Sequence, residues 1–241
     1  MGISFERREV SMLGIIGAMD EEVAKIKEQM DNVKVMSKAA MDFYEGTLNG
    51  KEVVVVRSGI GKVNAAMCTQ ILIDTYQIEA VINTGIAGSL NAQIDIGDIV
   101  LSTDTLEHDM DAVAFGYPIG QIPRMDTLSF EADEKMRTLA KKVCEDIIPE
   151  VSVFEGRVVS GDQFVSDKGK KDWLVQNFDG YCTEMEGAAI AHAAYLNGIP
   201  FLIIRAISDK ADDSASMDYP TFEAQAIEHS VKLLLAMCEQ M

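Results

Sequence analysis

Nine residues between Pro200 and Lys210, Phe201-Leu-Ile-Ile-Arg-Ala-Ile-Ser-Asp209, constrain the fold more than any other stretch. Four bulky apolar residues follow Pro200 with no polar residue between them, so the segment predicts a strand covered on both faces, the usual condition of a parallel sheet. Its polar residues, Arg205, Ser208 and Asp209, fall toward the carboxyl end. In open α/β sheets the ligand crevice lies beyond the carboxyl ends of the strands, which makes Asp209 a candidate for chemistry. Ser208 and Asp209 also suit an ordinary turn, and this strand alone does not separate the two roles.

The same grammar recurs along the chain. A strand over Met12–Ala18 is followed by Met19, by Asp20, Glu21 and Glu22, and by Val23, Ile26 and Met30 at helical spacing. Carboxylates in a first helical turn are favoured by the helix dipole, yet at least one of the three must project into the crevice above the strand end. Asp42–Leu48, Asn49-Gly50 and Glu52–Ser58 predict an antiparallel hairpin. Gly59-Ile60-Gly61 leads into a helix over Lys62–Tyr76, and the absence of a third glycine excludes a dinucleotide fingerprint. Ala80–Ser89 is a buried strand that breaks at Gly85 and Gly88, and Asp98–Thr105 is another.

Between Glu107 and Ser129 periodicity is lost while Phe115, Tyr117, Ile119 and Ile122 keep the segment apolar. A long irregular loop of this kind lines a site or an interface, and a symmetric partner subunit is the expected cover. A helix over Phe130–Asp146, a strand over Val151–Val159 and a strand end at Ser160–Val165 follow; Phe164 suits either the core or a stacking surface. Tyr181–Glu186 runs into a small-residue helix, Gly187–Tyr195, and a last helix spans Tyr219–Glu239. Glu184 and Glu186 are hard to place in a core, because buried carboxylates need partners, but an exposed pair would be ordinary. The fold class predicted is α/β: a three-layer αβα sandwich around a mixed, largely parallel twisted sheet. Residues 1–11 read as a polar extension and residues 12–241 as a single domain.

A formal net charge of −18 sets long-range repulsion against a phosphate backbone, so nucleic acid is excluded as a partner. A neutral or zwitterionic small molecule is easier to admit. Cys68, Cys144, Cys182 and Cys238 are scattered in apolar runs with no Cys-x-x-Cys pair, which suits core thiols in a reducing compartment. His108, His192 and His229 show no metal-ligand spacing, and no metal or cofactor is expected. No apolar run reaches membrane-spanning length and the amino terminus has neither a secretory core nor a myristoylation signal, so a soluble cytoplasmic protein is expected.

Glu22, Glu186 and Asp209 share a setting at strand carboxyl ends without a metal cluster or a Ser-His pair. Such carboxylates suit acid/base work on a bond whose cleavage develops positive charge, as glycosyl transfer does. Six ordered motifs carry a more specific likeness: Gly14-Ile-Ile-Gly-Ala-Met-Asp-Glu-Glu22, Ser58-Gly-Ile-Gly-Lys-Val63, Asn83-Thr-Gly85, Val159-Ser-Gly-Asp162, Glu184-Met-Glu186 and Arg205-Ala-Ile-Ser-Asp209. Together they closely resemble the 5′-methylthioadenosine/S-adenosylhomocysteine nucleosidases of the nucleoside phosphorylase superfamily, from Met12 to the carboxyl terminus.

The resemblance implies a nucleoside phosphorylase-like fold and hydrolysis of an N-glycosidic bond. It makes Glu22 the base that activates water, Asp209 the acid at purine N7 and Arg205 a holder of the water and carboxylates. Glu186 would bind the ribose hydroxyls and Met185 lie against the sugar. Phe164 would stack on adenine and the Val165 backbone would bond its edge. Ala18, Met19, Gly88 and Ser208 would approach the ligand, and Ile60, Phe115 and Tyr219 would form the thioether channel. Phe115 would reach across from the second subunit of a homodimer. One departure stands out: Ile86 occupies a position where these nucleosidases carry a serine that helps place the water. Other readings are a related nucleosidase or phosphorylase acting on another nucleoside, such as futalosine, and a noncatalytic nucleoside-binding protein.

Overall fold

The computed structural model describes residues 12–212 and 215–241, without the side chains of 216–220. The extension read over residues 1–11 lies outside the described residues. In chain order the elements are β1 (Leu13–Gly17), α1 (Asp20–Lys27), β2 (Asp31–Lys38), β3 (Met41–Leu48), β4 (Lys51–Arg57), α2 (Lys62–Tyr76), β5 (Ala80–Ser89) and β6 (Ile99–Glu107). A single 3-10 turn, Val113–Phe115, interrupts the long loop, and β7 (Phe130–Glu131), α3 (Glu134–Ile147), β8 (Val153–Ser160) and α4 (Lys168–Phe178) follow. The chain ends with β9 (Cys182–Glu184), α5 (Gly187–Asn197), β10 (Phe201–Asp209) and α6 (Ala215–Gln240).

Every residue of β1 and β10 is buried, as are Val53–Val56 of β4 and nearly all of β5. Strands so uniformly apolar need cover on both faces. One face carries α1, α3 and α6, with α1 and α3 each packed on α6, and the other carries α2 and α5. The sheet is mixed. Strands β4, β1, β5 and β10 run parallel, as do β6, β8 and β9. These two parallel groups meet through antiparallel pairings of β10 with β6 and of β5 with β9. Because β5 also pairs β10, the strands β5-β10-β6-β8-β9 close a ring, and β1-β4-β3-β2 extends from it as an open arm.

The predicted hairpin is β3 and β4, paired from Leu48 with Lys51 inward. Asn49 and Gly50 sit at φ 50° and 85°, the two positive values that a tight two-residue hairpin requires. A second hairpin, β2 with β3, has no such signature. Its turn, Ala39-Ala40, takes φ 53° and 59°, and alanine is the last residue from which a left-handed turn would be read. The solvent-facing edge strand β2 is exposed along its whole length, so it lacks an apolar face as well. Helix α4 is also unannounced. Asp167 caps it by accepting from the Lys170 N–H at 2.8 Å, but only Leu174 and Phe178 are buried. Both pack on a small second cluster with Leu90, Leu106, Val159, Val165 and Ala211.

Element ends differ modestly from expectation. Phe130–Glu131 is an edge strand on β6 rather than the start of a helix, because Asp133 caps α3 through the Met136 N–H at 2.8 Å. The last helix begins four residues earlier than expected, at Ala215.

Candidate active site

The site is organised by the way β5 changes partners. On one edge it pairs β1 from Ala80 to Asn83, then β9 at Gly88 and Ser89, leaving Thr84–Ala87 without a strand beside them. On its other edge β10 runs alongside from Val81 to Gly88. Unpaired backbone N–H groups at a sheet interior demand a polar partner, and a carboxylate supplies it. Glu22 Oε1 accepts from the Ile86 N–H at 3.2 Å.

The other oxygen of Glu22 turns back to its own helix. Oε2 accepts from the Ala18 and Met19 N–H groups at 2.7 and 3.0 Å, as a third-position glutamate does when it closes a helix N-terminus. Glu22 is buried, while its neighbours Asp20 and Glu21 face solvent. Asp20 lies 3.3 Å from Arg57. Burial pushes Glu22 above the usual carboxylate range, and Arg205 together with the three N–H groups pulls against that rise.

Arg205, the largest fully buried side chain among the described residues, is 1% exposed. Its Nη2 donates to Asn83 Oδ1 and to Glu184 Oε2 in two short bonds and lies 3.9 Å from Glu186. Asn83 is itself anchored through Nδ2 to the Ile16 carbonyl at 2.9 Å, so Arg205 ties β1, β5 and β10 together at one level. Gly85 is the residue that makes room. A Cβ there would stand 2.5 Å from Glu22 Oε1 and closer still to Arg205 Nη1.

Glu184, to which the resemblance assigns no role, is hydrogen-bonded through both oxygens. Oε2 accepts from the Glu186 and Gly187 N–H groups at 3.1 and 2.8 Å as well as from Arg205, and Oε1 accepts a short bond from Ser160 Oγ. Ser160 Oγ in turn accepts from the Ala188 N–H at 2.7 Å. Glu184 and Ser160 therefore occupy the N-terminus of α5, where the helix dipole favours an anion. The signal for Glu184 was its pairing with Glu186 across Met185; what was missing was the β8–β9 register that sets Ser160 beside it.

Glu186 is buried and its Oε1 accepts from the Gly61 N–H at 2.8 Å. Burial, then the neighbouring Glu184 charge, push it up to about 8 against the pull of Arg205 and the Gly61 N–H. Asp209 lies on the β10 edge of β5, just past the unpaired stretch. A register shift in the β10–β5 pairing sets Asp209 beside Gly88, and Asp209 Oδ1 accepts from the Ala211 N–H at 2.7 Å. Its Oδ2 accepts from Ser208 Oγ at 2.9 Å. A Cβ on Gly88 would lie 2.7 Å from Asp209 Oδ1, which is why that position is bare. Glu22 thus meets β5 at Gly85 and Ile86, and Asp209 meets it at Gly88.

The remaining predicted residues divide. Ala18 and Met19 border Glu22, Met185 is half-buried between the two glutamates, and Ile60 adjoins the Gly61 N–H that meets Glu186. Phe164 is exposed on the loop after β8, whereas Val165 is buried in the same small cluster as Ala211, the residue whose N–H meets Asp209. Phe115 stands 84% exposed on the 3-10 turn. The side chain of Tyr219 lies outside the described residues. Ile86 meets Glu22 through its backbone, while its own side chain is buried in the main core.

The profile of the Phosphorylase superfamily matches residues 12–239. The chain is 41% identical over 231 residues to the 5′-methylthioadenosine/S-adenosylhomocysteine nucleosidase of Staphylococcus carnosus, covering 95% of this chain and 100% of that one. Among solved structures, the nucleosidase of the same name from Neisseria meningitidis, in complex with methylthio-immucillin-A, superposes with a TM-score of 0.93 at 37% identity, covering 96% and 100% of the two chains. The futalosine hydrolase of Helicobacter pylori superposes with a TM-score of 0.91 at 34% identity, covering 96% and 99%.

Proposed function

The chain belongs to the 5′-methylthioadenosine/S-adenosylhomocysteine nucleosidases of the phosphorylase superfamily, and from that premise we propose that it hydrolyses the N-glycosidic bond of these two nucleosides. The products are adenine and the corresponding 5-thioribose. Glu22 takes a proton from water as the oxygen attacks the anomeric carbon. The bonding pair of the breaking C–N bond passes into the purine, and Asp209 delivers a proton to N7. Glu186 accepts hydrogen bonds from the ribose hydroxyls, and Arg205 holds the carboxylates in place. Met19, Met185 and Ile60 border the sugar and its thioether tail, and Ser208 orients Asp209. Phe164 stacks on the base and the backbone of Val165 meets its edge.

The observation that carries this reading is the pair of buried carboxylates that meet β5 from its two edges, Glu22 at Ile86 within the unpaired stretch and Asp209 at Gly88 just beyond it. Glu22, held above the usual carboxylate range, is a stronger base than a solvated glutamate. Water is the nucleophile such a site favours. Among the described residues the only cation at its centre, Arg205, is already bonded to Glu184 and stands close to Glu186, so a phosphate dianion entering beside Glu22 meets net negative charge. Repulsion comes from these buried glutamates; Asp20 and Glu21, which the sequence set beside Glu22, face solvent instead.

A homodimer completes the site in this reading. Phe115 at 84% exposure, Val63 at 73% and Leu196 at 67% leave apolar surface on the long loop, α2 and α5 that a second copy would cover. A cytoplasmic location is proposed with it: the four cysteines are buried free thiols, as a reducing compartment leaves them. Residues 12–241 act as one nucleosidase domain.

Glu22→Gln and Asp209→Asn test the assigned roles. Each is expected to lower the rate of adenine release by at least about 100-fold while leaving the fold intact. Turnover surviving both substitutions would overturn the assignment. Sedimentation of the protein as a monomer at micromolar concentration would overturn the dimer.

A further inference from the structure

Lys62 opens α2, where a cation opposes the helix dipole. Its ammonium is nevertheless fixed, donating to Asp109 Oδ1 at 2.7 Å and to Glu107 Oε2 at 2.9 Å, with the side chain only 19% exposed. Its backbone N–H donates to Asp162 Oδ1 at 2.9 Å, and Asp109 Oδ2 accepts from the Asp162 N–H at 3.0 Å. Two aspartates and one lysine therefore lash together three segments far apart in sequence: the Gly59–Lys62 turn, the end of β6 and the loop after β8.

Each of these segments leads to the site. The N–H beside Lys62, that of Gly61, is the one that meets Glu186. The loop that Asp162 belongs to continues into Phe164 and Val165. Gly61 takes φ 95°, and a Cβ on it would stand 3.1 Å from Asp162 Oδ1, so the turn presses directly on that aspartate. Glu107 extends the chain of contacts, with its Oε1 lying 3.4 Å from His192 on α5, the helix that starts just after Glu186.

We propose that Lys62, Asp109 and Asp162 are positioning residues that lock the ribose-binding carboxylate Glu186 in register with the base-binding loop, so that base and sugar of one nucleoside are held together. The inference rests on the reading of the site given above. A shift of the loop at Phe164 is transmitted through Asp162 to Lys62 and Gly61, and so to the only backbone N–H bonded to Glu186 among the described residues. Adenine alone needs the loop but not the register; a nucleoside needs both.

The test is calorimetric binding of two probes, adenine and a carbon-linked, uncleavable analogue of methylthioadenosine, to the full chain and to Asp162→Ala, Lys62→Met and Lys62→Arg. Asp162 is exposed, so its alanine variant is expected to fold even where Lys62→Met does not. Asp162→Ala and Lys62→Met are expected to weaken the analogue about tenfold, the scale of one hydrogen bond to a charged group, with adenine changed by less than about twofold. Lys62→Arg, which keeps the charge, is expected to restore most of the analogue's affinity. Equal weakening of both probes, or of neither, overturns the clamp. An unsubstituted chain that binds neither probe overturns the reading of the site itself.

Discussion

Gly85→Ala bears most sharply on the geometry of the β5 edge. Gly85 is not among the residues of positive φ, so alanine brings no backbone strain and the effect is steric. The added carbon would stand 2.5 Å from Glu22 Oε1 and 3.1 Å from Glu22 Cδ, with the Arg205 guanidinium closer still. Carbon settles at about 3.3 Å or more from oxygen or nitrogen, so Glu22 and Arg205 must both retreat, by roughly 1 Å. Arg205 is held by Asn83 and Glu184, and Glu22 is held on this side by the Ile86 N–H alone. Glu22 gives way the more easily and that bond is lost. Overpacking and one lost hydrogen bond to a charged group together cost about 3 kcal/mol, or about 6–12 °C in Tm for a chain of this size. A misplacement of about 1 Å at a catalytic base costs on the order of 100-fold in rate. The assay is kcat/KM for adenine release beside thermal unfolding, with Gly14→Ala as control. That Cβ would press on the Ile78 and Leu72 side chains at 2.8 and 3.2 Å, with the Ala80 carbonyl at an ordinary 3.6 Å, so it should lower Tm and leave kcat/KM nearly unchanged. Gly85→Ala retaining kcat/KM within about threefold would refute the placement of Glu22.

Ile86→Ser keeps the N–H that meets Glu22 and exchanges a core-buried side chain for the hydroxyl that the resemblance expects to place the water; kcat is expected to rise about fivefold, one neutral hydrogen bond's worth, with Tm lowered by the emptied core, and a fall in kcat would contradict that account. Glu186, pushed up to about 8 in the folded protein, keeps its proton there when the unfolded chain, near 4.5, has lost it. Its contribution to stability is therefore complete below pH 4.5 and lost as pH rises through about 8, and Tm measured from pH 5 to 9 should flatten in Glu186→Gln. The same ionisation readies it to accept from the ribose, so kcat/KM should climb through that pH in the unsubstituted chain and not in the variant. Ala40→Gly relieves a left-handed alanine in the β2–β3 turn and should stabilise by about 1 kcal/mol, raising Tm by about 2–4 °C; a decrease would argue against that turn.

Much of the fold is legible in the chain because its strands are buried on both faces, which writes them as uninterrupted apolar runs: β1, β4, β5 and β10 needed no tertiary information. β2 and α4 are illegible for the opposite reason. One is an exposed edge strand behind an Ala-Ala turn, and the other buries only two side chains. The closing of the sheet into a ring is not local either, since nothing in Gly88-Ser89 announces that they leave β1 for β9. The site divides along the same line. Glu22, Glu186 and Asp209 could be singled out as carboxylates at strand ends. The part played by Glu184 depends on β9 lying beside β8, and the crowding at Gly85 depends on Arg205 reaching across from β10.

Adenine release from methylthioadenosine and adenosylhomocysteine, followed in phosphate-free buffer and again with phosphate added, tests the central claim most directly. Hydrolysis by water activated at Glu22 predicts release from both substrates at rates that phosphate leaves unchanged. Release only in the presence of phosphate would make the chain a phosphorylase and contradict the role of Glu22, and release from neither would contradict the function itself.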